Sequence, residues 1–354
     1  MLVVRSVQES DLDPLFELVQ QSELGLTTLK ISREEMEARI ERSVFAFRQK
    51  SAKPAGQPYV FVMEDLAHGK IVGTAAIYAK VGGFEPFYSY QIKTSVHQSQ
   101  ELGVHKEIDV LHLMEVHDGP SEIGSLFLSP DFWGGGHGRV LSLSRFLFMA
   151  EFPERFETEV IAEMRGVVDA NGKSELWSAL GAHFFEIEYP KAETLTSQNK
   201  KFIADLMPRY PIYIPLLPQA AQDVIGKVHR NTEPAKNVLE KEGFQFRDRV
   251  DIFDGGPSLF CKTNEVRSIR ESVKGKLTAI EEHLEASEPA HLISNTQIDF
   301  RAVKGNIQWT DEGATVDQVT ALRLNLKVGD DIRSVSLRPT GTPVQSTNPE
   351  KERI

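Results

Sequence analysis

Cysteine is nearly missing from this chain. Cys261 is the single one among 354 residues, so no internal disulfide can form and the fold must rest on its core. Positive charge is also short: 40 Lys and Arg stand against 51 Asp and Glu, a formal net charge of −11. That balance excludes a broad nucleic-acid footprint and leaves only local patches such as Lys200-Lys201. No run approaches the roughly 18 apolar residues that cross a bilayer. The opening segment, Met1–Asp13, alternates and carries acids, so it does not read as a signal peptide. A cytoplasmic protein without membrane partners is expected. His105, His112, His117 and Asp118 match no metal-ligand spacing, and no metal is assigned. What is present is ordinary soluble composition, 40% hydrophobic and 26% charged, in a chain long enough for more than one domain.

The organising stretch is Ser121 to Phe152. Ile123–Leu128 is an apolar run of strand length, stopped by Ser129-Pro130-Asp131. Gly134-Gly135-Gly136-His137-Gly138 follows, and Val140, Leu141, Leu143, Phe146, Leu147 and Phe148 then return at mostly helical spacing. A strand feeding a glycine turn that opens a helix suits a pyrophosphate, because free amides and the positive end of the helix dipole converge there. No Lys-Ser or Lys-Thr follows the glycines, which excludes a nucleotide P-loop; Arg139 takes the place of the third glycine of a dinucleotide fingerprint. The turn resembles the acyl-CoA-binding turn of GNAT N-acyltransferases, Q/R-x-x-G-x-G/A. Gly136 and Gly138 match it, and Trp133 departs from it.

Around that turn the expected order is a strand at Val3–Val7, then helices capped near Ser10-Asp11 and Ser32, the second carrying Met36, Ile40, Val44 and Phe47. Strands Tyr59–Glu64 and Ile71–Ala79 precede the turn. Tyr88, Tyr90 and Ile92 alternate in a lengthened connection. Beyond the turn come the strand Glu159–Arg165, a short helix Glu175–Leu180 and a strand Phe184–Tyr189. A helix from Thr232 and strands Gln245–Phe253 and Ser258–Lys262 suggest a second αβ unit on the same sheet. Glu265–Glu285 reads as a charged helix or connector. Residues 286–338 read as a small β-rich module, and the polar segment 339–354 as a disordered tail.

Longer strings then narrow the reading. A-Q-D-V-I-G-K-V-H-R-N-T-E-P-A-K-N-V-L-E-K-E-G-F at 220–243 and D-I-F-D-G-G-P at 251–257 resemble the bacterial arginine N-succinyltransferase family. So do G-L-T-T-L at 25–29, Y-V-F-V-M-E-D at 59–65, A-E-M-R-G-V at 162–167 and F-I-A-D-L-M-P at 202–208. The resemblance implies an α+β, GNAT-like domain over residues 1–285, with a possible second half from about residue 200. Its sheet would be central, mixed and mostly antiparallel, flanked by helices. It implies succinyl transfer from succinyl-CoA to the α-amino group of L-arginine, the first step of arginine breakdown by the succinyltransferase route. Ornithine as acceptor, or a non-catalytic succinyl-CoA-binding subunit, remain alternatives, and a homodimer or a heteromer of related subunits is expected.

The resemblance also assigns residues. His229, in V-I-G-K-V-H, matches the family's proton donor, and imidazole titrates where thioester aminolysis needs a proton moved. Trp177 and Leu239 stand where many GNAT enzymes carry a tyrosine donor. Leu126 matches the family's succinyl-CoA-binding leucine, with main-chain groups of Leu126–Leu128 expected to pair with pantetheine amides. Gly136, Gly138 and Arg139 are assigned to the pyrophosphate. Arg165 or Arg145 is a candidate for the succinyl carboxylate. Glu163, Asp223, Asp251 and Asp254 are candidates for the guanidinium, and Thr27 and Thr28 for lining the acceptor site.

Overall fold

The structure, a computed structural model, describes residues 1–21, 29, 31–50, 53–196, 200–285 and 290–339. Sixteen strands join edge to edge in a single order. One end is the C-terminal module: Ile307–Thr310, Gly313–Asp317, Val273–Glu281, Asp331–Ser336, His291–Asn295 and Arg301–Gly305. The order continues through Leu2–Ser6, Pro58–Asp65, Lys70–Tyr78, Ser121–Leu128, Glu159–Glu163, Pro257–Lys262 and Gln245–Val250. A long hairpin, Phe87–Ser99 with Val104–Val116, and the short Ile212–Tyr213 close the other end. Most neighbours are antiparallel; Ser121–Leu128 runs parallel to Glu159–Glu163, and Val273–Glu281 parallel to Gly313–Asp317. The fold is the GNAT-like α+β arrangement expected, extended at both ends.

The first helices form where their caps and stripes put them. Ser32 accepts from the Glu35 amide at 3.1 Å and Glu35 returns a carboxylate to the Ser32 amide at 2.8 Å, a capping box that starts helix Arg33–Arg48. Met36, Ile40, Val44 and Phe47 are buried along it. Ser32→Ala is expected to destabilise the protein by about 1 kcal/mol in urea titration, with an unchanged m-value.

Helix His137–Glu151 lies over the middle of the sheet, and its Val140–Met149 segment is almost wholly buried. Phe148 meets Phe47, Phe61 and Phe300 at ring-centroid distances of 5.3, 5.3 and 5.5 Å. Phe300 comes from the C-terminal module, so that module shares this core. It also shares the sheet, through Val4 opposite Ala302.

Two expectations are corrected. The strand expected at Phe184–Tyr189 is instead the helices Ala182–Phe185 and Tyr189–Thr196. Gly181 is helical (φ −58°, ψ −43°) rather than left-handed, so it continues the turn instead of ending it. The Trp177 ring fills the space above it, and the indole N–H holds the Ile187 carbonyl at 2.9 Å. The charged helix expected over Glu265–Glu285 is a one-turn helix, Arg267–Arg270, followed by the strand Val273–Glu281. Its charges belong to the exposed face of a strand whose Leu277 is fully buried. The proposed Thr27–Thr28 lining falls outside the described residues. Beyond Glu265, therefore, the module begins earlier than its composition suggested.

Candidate active site

The sheet splits at its centre. Ser121–Leu128 and Glu159–Glu163 are paired only at Ser121–Val160 and Glu122–Ile161, and past that point their registered pairing ends. The cause lies within Ser121–Leu128. Ser125 is a non-glycine residue at φ +50°, and the register against Lys70–Tyr78 slips between Thr74 and Ala76. This bulge resets the alternation of side chains. Ile123, Leu126 and Leu128 all pack on the core beneath helix His137–Glu151, whereas Phe127 goes to the opposite face. Leu126 and Leu128 thus lie on the same side of the sheet as the glycine helix, past the point where pairing with Glu159–Glu163 has ended.

At the end of that strand the chain makes three successive left-handed residues: Gly134, Gly135 and Gly136 at φ +91°, +57° and +80°. Only glycine takes such a run without a steric penalty. Helix His137–Glu151 has no side-chain cap, and a Cβ placed at Gly134, Gly136 or Gly138 would meet open space. An uncapped helix start behind such glycines has the chemistry to receive an anion, although the His137 ring closes on Gly135. Trp133 does not fill that start: its indole N–H donates to the Leu128 carbonyl at 2.9 Å. The Arg139 guanidinium is turned to the C-terminal module, donating to the Leu337 carbonyl at 3.1 Å. Lys304 of the same module donates to the Gly135 carbonyl at 3.3 Å. A cleft of about 390 Å³ lies between the turn, strand Leu2–Ser6 and the module.

His229 reaches the split from downstream. Its amide donates to the Arg165 carbonyl at 2.9 Å, just past the end of Glu159–Glu163. Its Nδ1 accepts the Asn231 amide at 3.2 Å. Neighbouring Val228, with Ala235 and Val238 of helix Glu233–Lys241, packs on the same core as the glycine helix. Leu126 and the glycine helix therefore share one face with Val228, and His229 follows Val228 on the loop bonded to Arg165.

Arg145 is elsewhere. It is buried within the glycine helix, where it donates to Ser142 and, at 3.3 Å, to the Gly124 carbonyl beside the bulge. Burial pushes its pKa down to about 9. It is positioned to brace the bulged strand rather than to meet a ligand. Cys261 is likewise a core residue, its thiol pushed up to about 11 by burial.

The opposite face of the split is acidic. Ile123, Val160 and Ala162 face the glycine helix, so alternation sends Glu122 and Glu163 to the other side. Asp251 and Asp254 close on the same place from the loop before Pro257. Asp254 accepts from the Gly166 and Gly256 amides at 2.7 and 2.8 Å, and Asp251 from the Phe253 and Asp254 amides at 2.7 and 2.8 Å. Burial raises all four carboxyls, and the charges of Glu122, Asp251 and Asp254 raise Glu163 further. Asp223 is not among them; it is exposed on helix Gln219–Val224, bonded to Gln219. Glu122 was missed in the sequence, although an acid inside an apolar strand was a signal. Tyr90 was noted only for its alternation, yet it is fully buried beside Asp251.

Comparison with known proteins identifies the family. The family described as "Arginine N-succinyltransferase beta subunit" matches residues 2–268, and its "C-terminal domain" matches residues 273–336. The chain is 43% identical to arginine N-succinyltransferase of Escherichia coli (strain 55989 / EAEC) over 343 residues, 95% of this chain and 98% of that protein. It is 41% identical to the enzyme of that name from Yersinia pseudotuberculosis serotype O:3 over 344 residues, with the same coverage. Among solved structures, the arginine/ornithine succinyltransferase subunit AI of Pseudomonas aeruginosa superposes with a TM-score of 0.87 at 35% identity, covering 96% of this chain and 99% of that one. The chain belongs to the arginine N-succinyltransferase family.

Proposed function

We propose that this protein transfers the succinyl group of succinyl-CoA to the α-amino group of L-arginine, giving N2-succinyl-L-arginine and CoA. The observation that carries this reading is the split in the sheet. One face offers the end of Ser121–Leu128 and a glycine turn at a helix start, with His229 entering on the loop bonded to Arg165; the other offers a desolvated group of acids. A thioester on the first face and a cationic amino acid on the second would meet at the opening.

The pantetheine arm lies along Leu126–Leu128, pairing with main-chain groups as an added strand would. Its diphosphate sits on the amides of Gly136, Gly138 and Arg139. The neutral α-amine attacks the thioester carbonyl, the C–N bond forms and the amine proton passes to solvent water. The C–S bond then breaks, and His229 supplies the proton that the departing CoA thiolate takes up. Arg165, whose carbonyl anchors His229, is the remaining candidate for the succinyl carboxylate. The working compartment is the cytoplasm, consistent with the lack, among the described residues, of any helix long and apolar enough to cross a membrane.

The test is an assay of the purified single chain with succinyl-CoA, following CoA release and N-succinyl product, with arginine and ornithine at equal concentration. Faster turnover of arginine supports the proposal. Turnover of ornithine alone moves the acceptor, a reading favoured by the double name of the Pseudomonas aeruginosa relative. No turnover without a related subunit rejects a self-sufficient enzyme and supports a heteromer; a homodimer is otherwise expected. The cradle gives a separate prediction. At φ +80° Gly136→Ala introduces strain of about 1–2 kcal/mol but no clash. The KM for succinyl-CoA is expected to rise about tenfold while the KM for arginine holds.

A further inference from the structure

The acidic face has polar capacity that the fold itself leaves unused. Glu163 Oε1 is out of solvent and accepts no hydrogen bond. Ser258, directly opposite Glu163 on the neighbouring strand, is fully buried with an unpartnered hydroxyl. Directly opposed residues share a face, so that hydroxyl is beside the Glu163 side chain. Tyr90, also fully buried, has a hydroxyl without a partner, within electrostatic range of Asp251. Orphaned polar atoms out of water destabilise a fold by about 1–3 kcal/mol each, and three around one carboxylate cluster mark a place built for something else.

The unused atoms specify the missing partner. Glu163 offers an acceptor, the Ser258 and Tyr90 hydroxyls can accept, and Asp251 and Asp254 already spend oxygens on main-chain amides. Acids outnumber cations here: Lys200, whose Nζ lies 5.8 Å from the Phe87 ring centroid, acts on Glu122 and Glu163, and Arg249 acts on Glu163, against the four carboxyls of the cluster. Glu193, bonded to the Tyr189 hydroxyl at 2.7 Å, adds a further acid facing Asp254. A single ammonium has three donors on one point. A planar guanidinium has five donors in a fork and keeps its charge at any working pH, which suits acceptors spread over two strands and a loop.

Resting on the function proposed above, we infer that Glu163, backed by Glu122 and flanked by Ser258 and Tyr90, receives the guanidinium of the acceptor, and that its arrival expels a proton shared within the acid cluster. The linkage sign is fixed by the site. Burial and like charge raise these carboxyls, so the empty cluster retains protons that isolated carboxylates would lose. A bound cation lowers them again. Acceptor binding therefore releases protons and tightens as pH rises through the cluster's titration.

The test pairs kinetics with calorimetry on the full chain. Glu163→Gln is expected to raise the KM for arginine at least tenfold, while kcat and the KM for succinyl-CoA change less than threefold. Its preference for arginine over citrulline, the uncharged isostere, should collapse. Arginine binding measured at pH 7 in two buffers of different ionisation enthalpy should report proton release in the wild type and little in the variant. Glu122→Gln should give the same pattern more weakly. Removing one of several crowded buried acids should leave the melting temperature unchanged or higher, which separates a lost contact from a lost fold. An unchanged arginine KM in both variants overturns the site while leaving the proposed function standing. A fall in kcat at constant KM also overturns it, since Glu163 would then serve the reacting amine. A wild-type chain that neither binds nor succinylates arginine sinks the site and the function together.

Discussion

His229→Ala is expected to lower kcat by about two orders of magnitude or more while leaving the affinity for CoA, measured by calorimetry, within about threefold. Two features of the structure make that separation possible. The imidazole stands on a short loop fixed by main-chain bonds, His229 to Arg165 and Thr232 to His229, at 2.9 and 2.8 Å. Deleting the ring leaves those bonds in place, so Val228 and helix Glu233–Lys241 keep their packing. The cradle and strand edge expected to hold CoA are built from other residues altogether. What is lost is proton delivery to a thiolate whose pKa sits near 8 to 9, within reach of an imidazole whose ordinary value is about 6.5. His229→Gln can donate through its amide but cannot exchange protons, so it should be as slow as alanine. Turnover within threefold of wild type in either variant would remove His229 from the mechanism, without disturbing the family assignment or the donor site.

Local devices were readable in the chain because their chemistry is local. The Ser32–Glu35 capping box lies within four residues, and the glycine turn declares itself because hardly any other residue type accepts its backbone. The bulge was hidden for the complementary reason: Ser125 carries the positive φ without a glycine to announce it. Its support comes from tertiary partners, the Arg145 bond to the Gly124 carbonyl and the Tyr78–Ser125 hydroxyl contact at 3.2 Å. Three of the four clustered acids, Glu163, Asp251 and Asp254, were candidates from the sequence, but Glu122 and their convergence were hidden for a different reason. Glu122, Glu163, Asp251 and Asp254 are brought together by strand pairing across more than 130 positions of sequence, and no spacing rule joins them. Phe184–Tyr189 was misread because apolar runs of that length fit a strand or a packed helix equally well. Trp177 decides the matter by packing against Phe185 at 5.1 Å.

Glu242→Ala is expected to be the most destabilising single change in the protein outside the aromatic core. Glu242 has no exposed surface, and it ends helix Glu233–Lys241. Its Oε1 accepts from Arg267 Nε and Nη2 at 3.0 and 2.7 Å, and its Oε2 from the Ser268 amide at 2.8 Å. Arg267 in turn donates to the Ser336 carbonyl at 3.1 Å, so the pair ties the downstream half of the acyltransferase sheet to the C-terminal module. Removing the carboxylate strands a buried guanidinium and a buried amide, a loss of about 3–5 kcal/mol. For a chain of this size the melting temperature should fall by on the order of 10 °C. The double replacement Glu242→Met with Arg267→Met removes both charges together and should recover most of that loss, because a buried pair repays its desolvation only in part. If the single variant melts within about 2 °C of wild type, the pair is not what joins the two parts. The junction would then rest on the shared strand pairing and on Phe300 instead.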